Sequence, residues 1–250
     1  MQKWTVMLSW LMMDNLLNFN QPVKRPNSVK KQFWISLNWL KAQCLIFLQS
    51  KIKLLKNNLL LGSENAGKIK EIKFYLKYFN LFSNFKIIDL SSFTGLGEPE
   101  ENGSTFEENS IIKSTFFFNK TGFLTLSDDS GFTVEGMENF PGIKTARVAK
   151  EMGGEQQVVD FIFSKNTNKQ KISATFHCCI SLIGHKVNQA VTGKVGGFII
   201  SNKTGYEGFG YDPYFIPSNS KRTFAEMGLK KKLTLSHRFE AFKILSTTQK

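Results

Sequence analysis

Two long runs rich in β-branched and apolar residues, Lys171 to Ile183 and Lys186 to Ile200, follow each other directly in the second half of the chain. Only Gly184 and His185 separate them, and a two-residue connection that contains glycine is typical of an antiparallel hairpin. Earlier in the chain, shorter apolar runs alternate with segments of helical periodicity, which favours parallel strands joined by helices. The sequence therefore predicts a mixed α/β sheet with a long antiparallel hairpin in its later part.

Apolar periodicity and chain breakers place further elements along residues 58 to 248. Thr105 and Glu108 have the spacing of a helix capping box, so a helix is expected to begin there and to run to about Asn119. The other predicted elements are strand Asn58 to Leu61, helix Lys68 to Phe79, strand Lys86 to Leu90, strand Phe123 to Ser127, a helix near Val158 to Phe163 and a closing helix from Ser236 to Leu245.

A polar run, Ser127-Asp128-Asp129-Ser130-Gly131, directly follows one of these predicted strands. Adjacent carboxylates at the end of a strand suit a hard divalent cation, and the Ser-Gly pair lets backbone N–H groups approach an oxyanion. The same residue types are ordinary in solvated turns, so this run alone leaves both a metal and phosphate site and a plain turn open. Successive side chains of an extended segment point to opposite sides, so Asp128 and Asp129 are expected to have different tasks.

A second polar segment, Gly62 to Lys68, connects an apolar strand to a predicted helix. The backbone N–H groups at the start of a helix, together with a lysine, suit a polyphosphate. The same segment also satisfies the P-loop pattern G-x-x-x-x-G-K. However, Ile69 follows where a P-loop needs a serine or threonine to hold magnesium. A P-loop enzyme, which would cleave the γ-phosphate, is kept as the alternative.

A third segment, Gly208 to Pro213, is rich in glycine and aromatic residues, and Lys232 and the run Ser236-His237-Arg238 follow it. Glycines allow the backbone to approach a ligand closely, Phe209 can stack on a base, and Arg238 can donate to a carbonyl edge. The alternative for His237 is that it caps the last helix.

Taken in order, these motifs resemble the inosine triphosphate pyrophosphatase family, whose members remove non-standard purine nucleoside triphosphates. The resemblance covers roughly residues 58 to 248. It rests on Ser63-x-Asn65-x-x-Lys68, Gly103-x-Thr105-Phe106-x-x-Asn109-x-x-x-Lys113, Asp128 to Gly131, Pro141-Gly142, Ala146-Arg147, Gly208 to Pro213, Ala225-Glu226-Met227 and Ser236-His237-Arg238. The resemblance implies an elongated mixed central sheet with flanking helices and two lobes around a nucleotide cleft.

The resemblance also implies the reaction: ITP, dITP or XTP and water give the monophosphate and pyrophosphate, with Mg²⁺ as the cofactor. Lys68 and Lys113 would act on the phosphates as catalytic residues, and Asp129 would be the general base or a metal ligand. A further metal ligand is expected in the loop before Gly103, where the register points to Glu100 or Glu101 rather than to Glu98. The residues expected to bind the substrate are Ser63, Glu64, Asn65, Ala66, Gly67, Lys68, Ser130, Phe209, Gly210, Tyr211, Asp212, Lys232, His237 and Arg238.

The resemblance assigns the base to the third segment. Phe209 would stack on it, while Lys232, His237 and Arg238 would read the purine edge. A 6-oxo purine accepts hydrogen bonds where adenine carries an amino group, so a site made of donors leaves that amino group unpaired and desolvated. The expected substrate partner is therefore a purine nucleoside triphosphate, and a homodimer is expected from the family. A second function class, a nucleotide-binding protein without activity, is disfavoured because the charged motif residues are retained together.

The first 57 residues differ in composition from the rest. They contain all four tryptophans and contribute +8 of the net charge of +13, whereas residues 58 to 250 contribute +5. We expect residues 1–57 to be a basic extension outside the catalytic domain, which is expected to span residues 58–250. Three interpretations stay open for this extension: a reading frame extended upstream, a segment that contacts a membrane surface or a partner, and an organelle-targeting segment.

The remaining charge suits a cleft for an anionic nucleotide and gives no reason to expect nucleic-acid binding. Three cysteines, Cys44, Cys178 and Cys179, form no disulfide framework or zinc spacing, which favours a reducing, cytoplasmic compartment. Because Cys178 and Cys179 lie in an alternating strand-like run, they are expected to face opposite sides of the sheet as packing thiols.

Overall fold

The computed structural model describes residues 38–45 and 57–248. The chain divides into two compact units, Met1–Ile52 and Lys53–Lys250. In the first unit, residues 38–45 are helical, and the other residues of the expected N-terminal extension lie outside the described residues, apart from Asn57. In the second unit, the structure describes residues 57–248.

A six-stranded mixed sheet forms the centre of the second unit, with the strand order β2-β1-β3-β4-β5-β6. Strand β1 pairs in parallel with β2 and β3, and the pairs from β3 to β6 are antiparallel. The strands are β1 Asn58–Leu61, β2 Lys86–Asp89, β3 Leu124–Val134, β4 Lys171–Gly184, β5 Val187–Ile200 and β6 Phe215–Pro217. The predicted mixed sheet is therefore confirmed.

Helices flank this sheet. They are α1 Ala66–Tyr78, α2 Phe106–Thr121, α3 Thr145–Met152, α4 Glu155–Ser164, α5 Phe224–Met227, α6 Leu229–Lys232 and α7 His237–Thr248. Short 3₁₀ turns lie at Leu90–Ser92, Gly142–Lys144 and Asp212–Tyr214. Helix α2 begins where the sequence predicted, because the Thr105 hydroxyl accepts the backbone N–H of Glu108 at 3.0 Å. In the described part of the chain, no helix is both long and apolar enough to cross a bilayer.

The predicted hairpin is formed by β4 and β5, which are 14 residues each and pair along their whole length from Lys171–Ile200 to Gly184–Val187. The alternation of β4 separates two faces: Cys178 packs among apolar side chains, while Cys179 lies on the other face, where its sulfur accepts the hydroxyl of Ser110 on α2. Both cysteines are buried free thiols, so the expectation that they pack on opposite faces is confirmed.

Two large apolar clusters lie along this sheet. One packs α1 and α7 on the sheet through residues such as Tyr75, Phe242 and Leu245. The other packs α4 and α5 on the far half of β3 to β6, around Phe132 and Phe215. The two clusters therefore pack different sets of helices on the sheet, and the two lobes around a nucleotide cleft stay a prediction.

Helix α7 rests directly on the backbone of β5. A Cβ atom at Gly193 would collide with the carbonyl oxygen of His237 and the backbone nitrogen of Ala241. Glycine at this position therefore allows the first turn of α7 to lie closer to the sheet than any side chain would permit.

The fold differs from the sequence prediction at the aspartate pair, at α3, and at the short elements β6, α5 and α6, which were not predicted. The strand predicted to end at Ser127 continues to Val134, so the Asp128-Asp129 pair lies inside a strand rather than at its end or in a turn. Pairing with β4 is the reason, since Asp128 stands opposite Ile180 and Asp129 opposite Cys179. Helix α3 was not predicted at all, and Gly153, which has φ 91°, ends it after eight residues.

Candidate active site

The loop between β1 and α1 presents the start of a helix to the site. The Asn65 side chain caps α1 by accepting the backbone N–H of Lys68 at 3.0 Å. At the other end of the loop, a Cβ atom at Gly62 would collide with the buried hydroxyl oxygen of Ser127. Glycine is therefore needed at position 62 for the loop to pass close to β3, and this passage brings Lys68 to the aspartate pair.

Asp128 is fully buried and contacts cations on the first and the last described helix of the second unit, α1 and α7. Its Oδ2 lies 2.8 Å from Nη2 of Arg238 on α7 and 3.3 Å from Nζ of Lys68 on α1. Burial opposes the ionisation of this carboxyl, but Lys68 and Arg238 outweigh that cost and hold its pKa well below the usual range. Asp128 is thus a carboxylate that anchors two cations.

Asp129 has a different environment, as the alternation of a strand predicts. Its side chain is 5% exposed, and its Oδ1 accepts the backbone N–H of Ser130 at 3.1 Å. Its Oδ2 is buried and has no hydrogen-bond partner among the described residues. Burial raises the pKa of this carboxyl to about 6, against the lowering effect of Lys113 and Lys68. Asp129 is therefore a carboxylate with a free oxygen and a tendency to take up a proton.

Lys113, on α2, lies beside this pair. Its Nζ donates to the carbonyl oxygen of Asp128 at 3.1 Å and forms an ion pair of 2.9 Å with Oε1 of Glu101. Although burial disfavours the charged amine, Asp128, Asp129 and Glu101 together raise its pKa. Lys113 is therefore a cation held between the strand and the loop before α2.

That loop, Glu98 to Asn102, is called the acidic loop below. It is tied down at Gly103, whose N–H donates to Oδ1 of the fully buried Asn109 at 2.8 Å. From the other side, the guanidinium of Arg147 on α3 donates to the carbonyl oxygen of Glu101, and its Nη2 lies 3.9 Å from Oε2 of the same residue. Glu101 is thus the acid of this loop that faces Lys113, whereas Glu98 and Glu100 are exposed.

Behind Asp128 lies a buried ion-pair network of five residues: Glu71, Asp128, Asp212, Lys232 and Arg238. Nζ of Lys232 is 2.5 Å from Oε1 of Glu71 and 2.6 Å from Oδ2 of Asp212. Nη1 of Arg238 contacts the other oxygen of Glu71. Each of the five side chains is at most 6% exposed, so every charge in the network is neutralised by protein rather than by water.

Phe209 covers the edge of this network. Its ring lies so close to the start of α1 that a Cβ atom at Gly67 would be 2.5 Å from it. Nζ of Lys232 lies 4.4 Å from the ring centroid, within the range of a cation–π interaction. Asp212 fixes the turn by accepting the backbone N–H of Phe209 at 2.7 Å, and Gly210 adopts φ 57° to allow it. Phe209 is thus an aromatic face next to the phosphate loop.

Two of the residues expected to bind the substrate lie in the core. Tyr211 packs on Phe132 with ring centroids 4.5 Å apart and is 6% exposed. His237 stacks on Phe176 at 5.0 Å, and burial lowers its pKa well below the usual value, which keeps it neutral. Neither side chain lines the cleft in this structure, so their contact with the substrate stays a prediction.

A cleft of ≈ 720 Å³ opens in front of Asp129. The residues that line it come from the loop before α1, from the acidic loop and α2, and from β3 and α3; they include Ser63, Glu64, Asn65, Lys68, Lys113, Asp129, Ser130, Ala146 and Arg147. Ala66 and Gly67 form the first turn of α1 beside it. Lys232 and Arg238 lie behind Asp128 and do not line the cleft in this structure, so their reading of the purine edge stays a prediction.

Sequence reasoning missed Glu71, Asn109 and Arg147 as residues of the site. Asn109 and Arg147 belong to motifs quoted above, but no role followed from them. Glu71 had a signal: it lies three positions after Lys68 on α1, and residues three apart share a face of a helix. Among the described residues, no group of three or more His, Cys, Asp or Glu side chains is placed to hold a metal on its own.

Comparison with known proteins shows which family the chain belongs to. A model of the Ham1 family matches residues 59–248. A protein from Zymomonas mobilis named dITP/XTP pyrophosphatase is 37% identical over 203 residues, which cover 79% of this chain and 94% of the relative. A protein of the same name from Clostridium perfringens is 38% identical over 201 residues, covering 76% and 96%.

Solved structures agree with this assignment. The structure of the Staphylococcus aureus Ham1 protein superposes with a TM-score of 0.67 at 32% identity and covers 77% of this chain and 98% of that protein. A HAM1 protein from Coxiella burnetii gives a TM-score of 0.67 at 31% identity, with the same coverage. The matched region contains every element that builds the cleft and the buried ion-pair network. The chain therefore belongs to the Ham1 family.

Proposed function

We propose that this protein hydrolyses ITP, dITP and XTP to the nucleoside monophosphate and pyrophosphate, and so removes non-standard purine nucleotides from the nucleotide pool. The observation that carries this proposal is the cleft in front of Asp129, which joins a helix start, two lysines and an unpartnered buried carboxylate oxygen. Relatives that are 37% and 38% identical and named dITP/XTP pyrophosphatase support the choice of substrate.

The two lysines supply the charge that a triphosphate needs. Lys68 lies at the start of α1, where free backbone N–H groups also favour an anion. Lys113 faces the same cleft from α2. Together they neutralise the negative charge that grows on the leaving pyrophosphate, a contribution that is large when the donors are held in place before the reaction.

Asp129 is the residue that we assign to the attacking water. Its free Oδ2 can accept a proton, and a pKa of about 6 is close to the working range that makes a carboxylate an effective general base. Asp128 serves a different purpose, because its Oδ2 is held by both Lys68 and Arg238, which keep the carboxyl ionised. It keeps Lys68 and the base side of the site in register with Asp129.

The residues of the cleft fit Mg²⁺. Magnesium is commonly held by one or two carboxylates together with substrate phosphates, which agrees with the absence of a three-residue acidic cluster among the described residues. Asp129 and Glu101 would hold it, with Glu100 as the other candidate in the acidic loop. When bound, the ion supplies Lewis-acid stabilisation of the phosphates and lowers the pKa of its water.

Base selection is assigned to the buried ion-pair network and Phe209. The base would stack on Phe209, with Gly210, Tyr211 and Asp212 shaping the turn, and Lys232, His237 and Arg238 would read the 6-oxo edge. Because Lys232 and Arg238 are held by carboxylates in the free protein, reading the base requires them to share their donors with O6. A purine with an amino group at that position offers no acceptor in return.

The experiment that tests this function identifies the bond that is cleaved. The full-length protein is incubated with Mg²⁺ and ITP, dITP, XTP, GTP or ATP, and the products are separated by anion exchange. We expect IMP and pyrophosphate from ITP, and much slower reaction with ATP. IDP and orthophosphate as first products would instead favour γ-phosphate cleavage of the P-loop kind. Product formation that persists in Asp129→Asn at the wild-type rate, and also in Asp128→Asn, would trace the activity to a contaminant; persistence in Asp129→Asn alone would contradict the role assigned to Asp129.

The proposal also covers the extent of the catalytic domain, the oligomeric state and the cellular compartment. The catalytic domain is residues 58–250, the active form is a homodimer, and the protein works in the cytoplasm. Buried, unpaired thiols at Cys178 and Cys179 are consistent with a reducing compartment. Light scattering after gel filtration at micromolar concentration tests the dimer, which a single monomer mass would contradict.

A further inference from the structure

We propose that Arg147 binds the pyrophosphate portion of the substrate, and that its contact with Glu101 in the free protein is exchanged for the phosphates when substrate enters. This inference rests on the function proposed above and adds a residue to it. Arg147 lies on α3, a helix that neither lysine of the cleft belongs to, and its side chain is 48% exposed.

The first step of the argument is the charge that surrounds Arg147. Lys68 pairs with Asp128, which is fully buried, and Lys113 pairs with Glu101 at 2.9 Å. Arg147 shares the same Glu101 carboxylate at 3.9 Å and donates to that residue's carbonyl oxygen. Of these three cations of the cleft, Arg147 therefore has the weakest ion pair, and its guanidinium can leave it at the lowest cost.

The second step is the order of contacts along the site. Phe209 and Lys232 mark the base side, and Lys232 is joined through Glu71 to Arg238. Asp128 follows Arg238, and Lys113 contacts the carbonyl oxygen of Asp128. Then come Glu101 and finally Arg147, at the opposite end of this series. A nucleotide with its base at Phe209 and its α-phosphate at Asp129 extends its terminal phosphates toward Arg147.

The third step is the chemistry of the side chain. A guanidinium presents several N–H donors in a plane and binds phosphate oxygens in a bidentate manner, which a lysine cannot reproduce. Arg147 and Glu101 come from different segments, α3 and the acidic loop, and both line the cleft. When the phosphates replace Glu101 as the partner of Arg147, Glu101 is released on the side that faces Lys113 and Asp129. The exchange therefore couples binding of the leaving group to the freeing of a carboxylate for the metal.

The test measures binding of inorganic pyrophosphate in the presence of Mg²⁺ by isothermal titration calorimetry, together with KM and kcat for ITP. Arg147→Ala should weaken pyrophosphate binding and raise the KM for ITP by roughly ten- to a hundredfold, which is typical for the loss of a charged hydrogen bond. Arg147→Lys should recover only part of the affinity. Binding of IMP should be unchanged, because the monophosphate does not reach this end of the cleft.

The matched control is Lys150→Ala, which removes the same charge from an exposed position on the same helix, outside the cleft. It should leave pyrophosphate binding unchanged. Equal affinity of wild type and Arg147→Ala for pyrophosphate would overturn the proposal. So would a higher Mg²⁺ requirement with unchanged pyrophosphate binding, since that result shows that Arg147 only positions the acidic loop.

Because the calorimetry does not depend on turnover, its result is separable from the proposed function. A wild-type protein that binds pyrophosphate through Arg147 but fails to hydrolyse ITP contradicts the function and supports this inference. A wild-type protein that hydrolyses ITP while Arg147→Ala matches it in KM and in pyrophosphate affinity does the reverse.

Discussion

Asp128 and Asp129 are neighbours on β3, yet they lie in two regions that differ in how their carboxylates are paired with cations. On the base side, Asp128 is part of the buried ion-pair network, in which every carboxylate meets a lysine or an arginine. On the phosphate side, Asp129 has a buried oxygen without a partner and a raised pKa. The charges of the base side are paired within the protein, although Oδ1 of Asp128 and Nε of Arg238 have no hydrogen-bond partner among the described residues. The charge of Asp129 has no such ion pair, and in the proposed function it is met by ligands.

The two regions are therefore expected to contribute differently to the stability of the protein. A satisfied network resists change, because removal of one member leaves a buried charge unpaired. A buried carboxylate oxygen without a partner costs stability in the free protein, and in the proposed function metal and substrate supply its partners. The five predictions that follow test this contrast, beginning with the largest expected effect.

The first prediction concerns turnover at the phosphate side. Asp129→Asn removes the charge and the proton acceptor while keeping the shape, so kcat for ITP should fall by roughly three orders of magnitude or more, since general-base and metal contributions are lost together. Steady-state kinetics on ITP measures this, with circular dichroism as the check on folding. If Asp128→Asn lost far more turnover than Asp129→Asn at equal folded fraction, the two roles would be exchanged.

The second prediction concerns stability at the base side. Asp128→Asn leaves Arg238 and Lys68 without their common carboxylate, and the free energy of unfolding should fall by about 3–5 kcal/mol. Urea denaturation measures it. The control is Asp89→Asn, which breaks the more exposed ion pair with Lys73 and should cost about 0–1 kcal/mol. Similar losses in the two variants would mean that the network is not coupled as described.

The third prediction concerns pH in the metal-free protein. Asp129 has a pKa of about 6 when folded and about 3.9 when unfolded, so the folded state binds its proton more tightly. The contribution of Asp129 to stability should therefore fall as pH rises from 4 to 6, by about 3 kcal/mol, so the free energy of unfolding of wild type relative to Asp129→Asn should decrease by that amount over this range. The measurement is urea denaturation in EDTA at several pH values. A wild type and a variant with parallel curves would show that Asp129 is not destabilised by burial.

The fourth prediction concerns selection of the base. If Arg238 donates to O6 of the purine, Arg238→Ala should shrink the ratio of kcat/KM for ITP to that for ATP by roughly tenfold, since adenine has no acceptor there. Arg222→Ala, at an exposed arginine, is the control. Because Arg238 also pairs with Glu71 and Asp128, the assays are run well below the melting temperature of the variant. An equal loss on both substrates would assign Arg238 to support of the network alone.

The fifth prediction is that removal of the N-terminal extension leaves the activity unchanged. Among the described residues, those that line the cleft begin at Gly62. A variant that begins at Lys56 and keeps β1 should retain its kcat/KM for ITP within about twofold, which is within the spread that measurements of surface changes usually show. An insoluble or inactive shortened protein, beside an active full-length one, would place the extension within the catalytic fold.

The sequence predicts those parts of the fold that are determined locally. The β4–β5 hairpin follows from two long apolar runs around a short turn, and the start of α2 follows from a capping threonine at position 105. The aspartate pair was assigned to a strand end because Ser, Asp and Gly are common in turns. Its place inside β3 is imposed by pairing with β4 some fifty positions later, and this pairing has no local signal.

The site shows the same limit. Lys68, Lys113 and Asp129 were predicted from motifs, and they do line one cleft. The buried ion-pair network was not predicted, since Glu71 and Lys232 are separated by 161 positions and charged residues are usually solvated. Which acid of the acidic loop faces Lys113 also depends on how Gly103 and Asn109 hold the loop, a contact that only the folded chain defines.

The contact at Gly193 has a consequence for how enzymes of this kind can diverge. Because α7 lies on the bare backbone of β5 there, the depth of Arg238 beside Asp128 is set by a residue that touches no nucleotide. A methyl group at position 193 would lift the first turn of α7 and shift the arginine with it. If Arg238 reads the nucleobase as proposed, a substitution in the interior of β5 would change base preference, so variant libraries for altered specificity should include position 193 beside the residues of the cleft.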